Sequence, residues 1–488
     1  MEIYLIHCQK FNNGGFCMGN KARMYLDIMA LNPEVTGSCF LCILKLPTKE
    51  SVKFVVDCGL FQEEEYESFN YDFPFDPNNI DFALLTHNHV DHTGRLPLLF
   101  KEGFDGNIYC SQQTKCFLPL ALNDSCKVLK DVCKRKHTKQ MYTDTDVEKA
   151  ICNTIGLDFN SKTEINPNVN VTFLKNGHLI GAAMILVEIH YPGEEDINIL
   201  FSGDYNNKNA FFDIDILPQE IREKRISLII ESTYGKMVST EIEYTFKTNL
   251  LNSLQDEKTI VIPVFSLGRS QEILLKLKEF QDEETLDKNI PIYFDGNLAH
   301  AYTNLYLNCD EILEPERRDF IPENVTLVDS TNRNDLLNVE ECKIIVTTSG
   351  MGTYGPAQVY LPYFISKRKA AIMFTGYTAE NTLGRILREA EKGEFVKIGG
   401  LMVRKNADVF STTEFSSHAK SDEILELVRQ FENLRAVIIN HGEESDKEEM
   451  AKKIIHELEI PHVGILDRNY FFRIDTWGIN KTLSTKFK

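Results

Sequence analysis

The sequence predicts an α/β protein made of two domains, one inserted into the other, and three observations carry that expectation. Short β-branched and aliphatic runs alternate with longer helical stretches over most of the 488 residues. Five of those runs stop directly before a residue that can do chemistry. FVV (54–56) precedes Asp57, FALLT (82–86) His87, NILFSG (198–203) Asp204, SLII (227–230) Glu231 and AVIIN (436–440) His441. In α/β folds reactive groups gather where strands end and loops begin. The third observation is a change of rhythm at about residue 236, after which the chain returns, from about 409, to the run that ends at His441.

Taken in order, EIYLI (2–6) reads as a first strand. Residues 7–33 follow as an insertion, with NNGGF suggesting a loop and KARMYLDIMAL a helix. This segment is either a partner-binding or gating element or a tolerated surface insertion. In the middle stretch TIVIPV, PIYF, KIIVTT and AAIMFT read as strands, with RSQEILLKLKEF and NTLGRILREA as helices between them. The expected division is therefore 1–235 as the first part of one domain, 236–408 as the inserted α/β domain, and 409–488 as the second part of the first.

Composition limits the classes of function. A hydrophobic content of 43% with 26% charged residues belongs to a globular chain with a real core. No run of about 18 uncharged apolar residues occurs, so no membrane-spanning helix or membrane partner is expected. The opening MEIYLIHCQK lacks a basic segment followed by a long apolar one, so the expected location is cytoplasmic. Of twelve cysteines only Cys39 and Cys42 form a C-x-x-C pair, and no second pair follows to complete a four-thiolate zinc site; reduced, mostly buried thiols are expected. The net charge of −19 argues against non-specific nucleic-acid binding, although bound divalent metals add positive charge that residue counting omits.

The segment Thr86-His87-Asn88-His89-Val90-Asp91-His92-Thr93-Gly94 is the densest chemistry in the chain. Side chains two apart at a strand end face the same way, so His87 and His89 can grip one ion. Asp91 and His92 can hold a second as the chain turns toward RLPLLFKEGF. Imidazole nitrogens and carboxylate oxygens suit zinc or manganese. His178 sits in KNGHLIGAAMILVEI, where glycines on both sides allow close approach, and Asp204 could bridge both ions with its two oxygens.

H-x-H-x-D-H, the downstream Gly177-His178 and Ser202-Gly203-Asp204 together resemble the metallo-β-lactamase superfamily. The resemblance implies an αβ/βα sandwich with a dinuclear site along one edge. His87, His89 and His178 match its first-metal ligands, Asp91 and His92 the second-metal ligands, and Asp204 the bridging carboxylate. ESTYG (231–235), PVFSLGRSQEIL (263–274), TSGMGTYG (348–355), GYTAENTLGR (376–385), EFSSHAKSDE (414–423) and INHGEES (439–445) are similar to the β-CASP branch, which includes the mRNA 3′-end-processing endonuclease and the RNase J enzymes. On that match Asp57 belongs to the first motif, Glu231 to motif A, His418 to motif B and His441, a further metal ligand, to motif C. Histidine at motif C marks the RNA-acting members.

The resemblance implies a ribonuclease with two Zn2+ (or Mn2+) ions and its active site between the two domains. The ions would lower the pKa of a bridging water, and the hydroxide would attack phosphorus in line. His418 would protonate the leaving oxygen, Glu231 would orient His418 and keep it protonated, and Asp57 would fix a ligand ring. The rival readings are a DNA nuclease or other hydrolase of the superfamily, and a non-catalytic scaffold subunit. The partner expected is single-stranded RNA; a homodimer is left open.

Gly350 to Gly355 also spells G-x-G-x-x-G, but Pro356 follows at once and no acidic ribose partner ends the next strand. Ser349, Gly350 and Met351 read as a backbone cradle for an RNA phosphate, or as a plain turn. Arg269 and Arg385, early in their helices and within the motifs, are the other candidates for RNA contact. Basic runs at Lys134–Lys136, Lys367–Lys369 and Arg404-Lys405 could track a nucleic-acid backbone or merely be solvated. His300 reads as structural.

Overall fold

The computed structural model describes residues 23–309, 317–339, 341–376, 378, 382–398, 400–460, 462–468, 470–475 and 479–483. EIYLI and NNGGF lie outside the described residues. The chain divides into two compact units, Met1–Asn209 with Ile214–Ser239 and His418–Lys488, and Ala210–Asp213 with Thr240–Ser417.

The first unit is built on two sheets. One has eight strands, in the order Ile479–Leu483, Tyr470–Asp475, Tyr25–Ala30, Phe40–Lys45, Ser51–Val56, Phe82–Leu84, Asn107–Ser111 and Thr154–Leu157. The other has seven: Val463–Ile465, Leu434–Ile439, Ile226–Ile230, Ile197–Phe201, Ala183–Ile189, Val169–Lys175 and Thr163–Asn166. Alternate residues from both sheets, among them Leu26, Ile28, Phe40, Phe54, Val171, Phe173, Ile185 and Phe201, form one core. The period of two is what lets a strand feed one layer with one set of side chains and the next layer with the other. Leu41, Val55, Ala83 and Ile108 accordingly point the other way, against helices Leu96–Lys101 and Gln112–Lys136. Leu186, Leu228, Ile230 and Ile439 pack on helices Ser421–Arg429 and Glu444–Glu457. Helix, sheet, sheet, helix is the layering the sequence implied.

KARMYLDIMAL is a correction. Tyr25–Ala30 is a strand, not a helix, paired antiparallel with both Phe40–Lys45 and Tyr470–Asp475. Leu, Ile, Met and Ala at 26, 28, 29 and 30 fit either period, and the deciding partner lies far away in sequence. Asp27 receives both arms of the Arg473 guanidinium at 2.7 and 2.9 Å. The described part of the expected insertion is therefore a central strand of the fold.

The second unit carries a six-stranded, wholly parallel sheet in the order Val325–Val328, Ile292–Asp295, Ile344–Thr347, Thr259–Pro263, Ala370–Phe374 and Asp408–Ser411. Its central strands are buried along their whole length, as continuous apolar runs such as IIVT and AAIMF require. The expected boundary at 408/409 falls inside the last of these strands, which pairs with Ala370–Phe374; the chain returns to the first unit at His418. DVFS is too short and too polar to have been read as a strand. None of the described helices is long and apolar enough to cross a membrane.

Candidate metal centre

Strand ends and the loops after them place every candidate ligand. His87 follows the strand Phe82–Leu84, and His89 ends the extended stretch before the one-turn helix Val90–Thr93, which presents Asp91 and His92. His178 sits in the loop between Val169–Lys175 and Ala183–Ile189; Asp204 follows Ile197–Phe201, and His441 follows Leu434–Ile439. Loop 176–182 is pinned to the start of the long helix. Ser111 and Thr114 hydroxyls both donate to the Gly181 carbonyl, at 2.7 and 2.8 Å.

Two groups of ligand atoms result, and Asp204 belongs to both. His87, His89, His178 and Asp204 form one; Asp91, His92, Asp204 and His441 form the other; within each, the ligand atoms lie within 4.8 Å of one another. Asp204 divides its oxygens between them. Oδ2 is 3.5 Å from Nε2 of both His87 and His178, whereas Oδ1 is 3.2 Å from His92 Nε2 and 3.3 Å from His441 Nε2. His92 Nε2, His441 Nε2 and Asp204 Oδ1 are buried and make no hydrogen bond. Leaving three such atoms unpaired is costly unless one partner satisfies all three. A divalent cation does so, and the mixed imidazole and carboxylate donor set suits zinc or manganese.

The electrostatics favour the same occupant. Burial lowers the His87 and His89 pKa values, keeping these rings in the neutral form that binds metal. Burial alone would raise the Asp204 carboxyl, but the His441, His92 and His87 rings around it hold it well below the usual carboxylate range. Asp57, almost wholly buried, accepts from His92 Nδ1 at 2.8 Å, which turns the opposite nitrogen, Nε2, toward Asp204. Asp57 also accepts from the Thr86 backbone and hydroxyl.

A third group, Asp204, Glu231 and His418, adjoins the other two. His418 Nδ1 donates to the Glu231 carboxylate, 3.0 Å from each oxygen, and its Nε2 lies 4.0 Å from Asp204 Oδ2. Burial disfavours a charge on His418, but the Glu231 carboxylate and then Asp204 outweigh it and raise its pKa above the ordinary histidine value.

Three residues here escaped the sequence reading. Thr233 donates to Glu231 Oε2 at 2.5 Å and accepts from His441 Nδ1 at 3.1 Å, so one hydroxyl joins motif A to motif C. Thr86 links Asp57 to His87 Nδ1, 3.0 Å away. Asn176 accepts from the His178 backbone and donates to the Asp204 carbonyl, both at 3.0 Å. Their only signal was lying within two positions of a candidate site residue. Two glycines admit no alternative: a Cβ on Gly59 would lie 1.5 Å from the Asp91 carbonyl oxygen, and one on Gly203, at φ 56°, would be 2.8 Å from Thr86.

The second unit places the other candidates differently. Arg269 is a correction: its guanidinium is buried, donates to the Thr375 carbonyl at 3.0 Å and lies over the Phe415 ring, so it ties the unit together rather than facing a phosphate. A basic residue at a helix start reads the same from sequence whether it points out or in. Ser349, Gly350 and Met351 lie in a turn closed by its own backbone; Gly352 N–H donates to the Ser349 carbonyl, and Gly384 N–H to that of Met351. Arg385 is half-buried and pairs with Glu389. His300 bonds the Phe294 carbonyl at 2.8 Å, a structural role.

Comparison with known proteins gives the class this fold and site define. The model of the metallo-β-lactamase superfamily matches residues 47–125, that of the Beta-Casp domain 270–387, and that of the Zn-dependent metallo-hydrolase RNA specificity domain 402–463. Probable RNase MJ4 of Methanocaldococcus jannaschii is 30% identical over 84% of this chain and 91% of its own length. Ribonuclease TTHA0252 of Thermus thermophilus is 29% identical with the same coverage. Transcription termination factor FttA of M. jannaschii is 31% identical over 84% of this chain, and the chain spans 66% of that protein. The chain belongs to the β-CASP branch of the metallo-β-lactamase superfamily, a family of hydrolases.

Proposed function

We propose that this protein is a zinc-dependent ribonuclease that hydrolyses phosphodiester bonds in single-stranded RNA. The observation that carries the reading is Asp204, which gives one oxygen to each of two histidine-rich ligand groups while His418 stands beside it, held by Glu231. The first group would hold one ion with His87, His89 and His178, and the second another with Asp91, His92 and His441. Two bound cations would supply the Lewis acidity that lowers the pKa of water and neutralises charge on a phosphate.

The chain's own residues supply the rest. Asp57 keeps the His92 ring turned so that Nε2 faces inward. Glu231 binds His418 Nδ1, which leaves Nε2 carrying the proton that the leaving oxygen needs. Against the cost of burial, Glu231 and then Asp204 raise the His418 pKa, which favours the protonated form. The turn at Ser349, Gly350 and Met351, with Arg385, would meet RNA phosphates by backbone N–H groups and one guanidinium. The names carried by its relatives, ribonuclease and transcription termination factor, both concern RNA. The motif-C histidine, His441, favours RNA over DNA.

The test is cleavage of matched single-stranded RNA and DNA, labelled at either end, by protein whose metal content has been measured. Cleavage of RNA and not DNA, with about two zinc ions per chain, is expected. Fully metallated protein that leaves RNA intact overturns the reading. The end-label pattern distinguishes endonucleolytic from exonucleolytic action.

A further inference from the structure

In the second unit the strands Phe395–Ile398 and Leu401–Arg404 form an antiparallel hairpin, with Ile398 paired to Leu401 and Gly400 at φ 86° in the turn. The two faces differ. Val396 and Ile398 are buried, at 5% and 9% exposure, and pack into the unit's core. On the opposite face Phe395 stands across from Arg404, and Lys397 across from Met402. Phe395 is 58% exposed and Met402 61%. We propose that this outward face, Phe395, Lys397, Met402 and Arg404, is an accessory site for single-stranded RNA, apart from the residues of the metal centre. The inference rests on the ribonuclease reading above and extends it to nucleotides away from the bond that is cut.

Charge decides the occupant. The protein as a whole carries −19, yet this face offers two cations and no carboxylate among its four side chains. Neither cation makes an ion pair among the described residues; Arg404 Nε is steadied by the Gly393 carbonyl at 3.1 Å. The nearest acid along the strand, Glu394, is turned back to the Glu391 N–H at 2.8 Å. Elsewhere in the basic runs, Lys136 pairs with Glu67 at 2.7 Å and Lys369 with Glu257 at 3.0 Å, while Lys405, next to Arg404, is buried against the Leu387 and Ala390 carbonyls. An exposed ring and a thioether between unpaired cations suit bases that stack and phosphates that need neutralising. A second copy of the chain suits the face poorly, since pairing two such hairpins would set Lys397 and Arg404 of both copies together.

The experiment measures binding of a 2′-O-methyl single strand, which resists cleavage, to the metallated full-length protein over a range of salt. Lys397→Glu with Arg404→Glu should weaken binding at least tenfold. It should flatten the slope of log affinity against log salt by about 1.4, the loss of two phosphate contacts on a single strand. Phe395→Ala should cost about five- to 150-fold, the contribution of one stacked base, and Phe395→Tyr should restore it. Metal content, melting temperature and the turnover of a very short RNA should stay at wild-type values. Unchanged affinity and slope in the double variant overturn the proposal, whether or not RNA is cleaved. A wild-type dimer that dissociates in that variant, with no change in RNA affinity, assigns the face to self-association and overturns it too. Should the wild-type protein bind the strand through these residues yet never cut RNA, the ribonuclease reading fails and the binding face stands.

Discussion

Asp204 and Asp295 are both almost wholly buried aspartates at the end of a strand, one in each unit, and their surroundings are opposite. Asp295 is fully provided for. Arg333 donates to both its oxygens, at 2.5 and 2.8 Å, and the Tyr360 hydroxyl adds a third bond at 2.8 Å. Asp204 has four imidazole nitrogens within 3.5 Å, and Oδ1 makes no hydrogen bond. A carboxylate paired with a guanidinium and a hydroxyl is finished as structure. One ringed by imidazoles, with an oxygen left unbonded, has the donor set that a divalent cation completes. The comparison separates the unit that carries the candidate metal centre from the unit whose buried charge serves stability.

The largest effect should come from breaking the unfinished site. Asp204→Asn should abolish cleavage, a loss on the order of 10,000-fold or more for a residue on which a whole centre depends. It should also reduce bound metal from about two ions to one or none, as read by elemental analysis. Two retained ions with near-normal activity would remove Asp204 from its bridging role.

His418→Ala tests whether the third group moves protons or holds metal. Cleavage should fall by about 100- to 10,000-fold with both ions kept. A nitrophenolate leaving group, which needs no proton, should recover much of the loss. His441→Ala should instead lose metal and gain little from the better leaving group. Metal loss in His418→Ala would assign that residue to the ligand shell.

Arg333→Ala sharpens the other side of the comparison. It leaves Asp295 buried without its main partner, so stability should drop by about 3–5 kcal/mol. Denaturant unfolding measures that drop, while zinc content in the folded protein should be unchanged. A drop in zinc with no change in unfolding would contradict the division drawn here.

Thr233→Val should have a smaller effect, about 10- to 100-fold on kcat, as for other groups that orient ligands. Thr233→Ser, which keeps the hydroxyl between Glu231 and His441, should restore activity. Equal rates for the two variants would show that the hydroxyl is not what matters. Smallest of all, Arg269→Ala should lower stability by about 1–3 kcal/mol and leave the salt dependence of RNA binding alone, because its guanidinium is already bonded inside the unit.

Much of the site was legible because its residues come in dense local patterns. His87, His89, Asp91 and His92 lie within six positions, and Asp57, Asp204, Glu231 and His441 each stand just after an apolar run. Strand-end placement follows from a rule of α/β folds, so local sequence could point to it. The layered architecture was legible for the same reason: runs such as AMILVEI and SLII have one period and one reading.

What local sequence could not decide was every matter that depends on a distant partner. Tyr25–Ala30 is a strand because Arg473 and Cys42 meet it from elsewhere in the chain; its own composition fits a helix equally well. Arg269 points inward because the Thr375 carbonyl and the Phe415 ring receive it. Thr233 joins two motifs 208 positions apart with one hydroxyl. By itself the sequence determined which residues are capable of holding metal and moving a proton, since that depends on side-chain chemistry. Only the tertiary structure decided which of them share Asp204, which way each ring faces, and which cations remain unpaired at the surface. Distance and orientation arise when remote segments pack, and no local pattern encodes them.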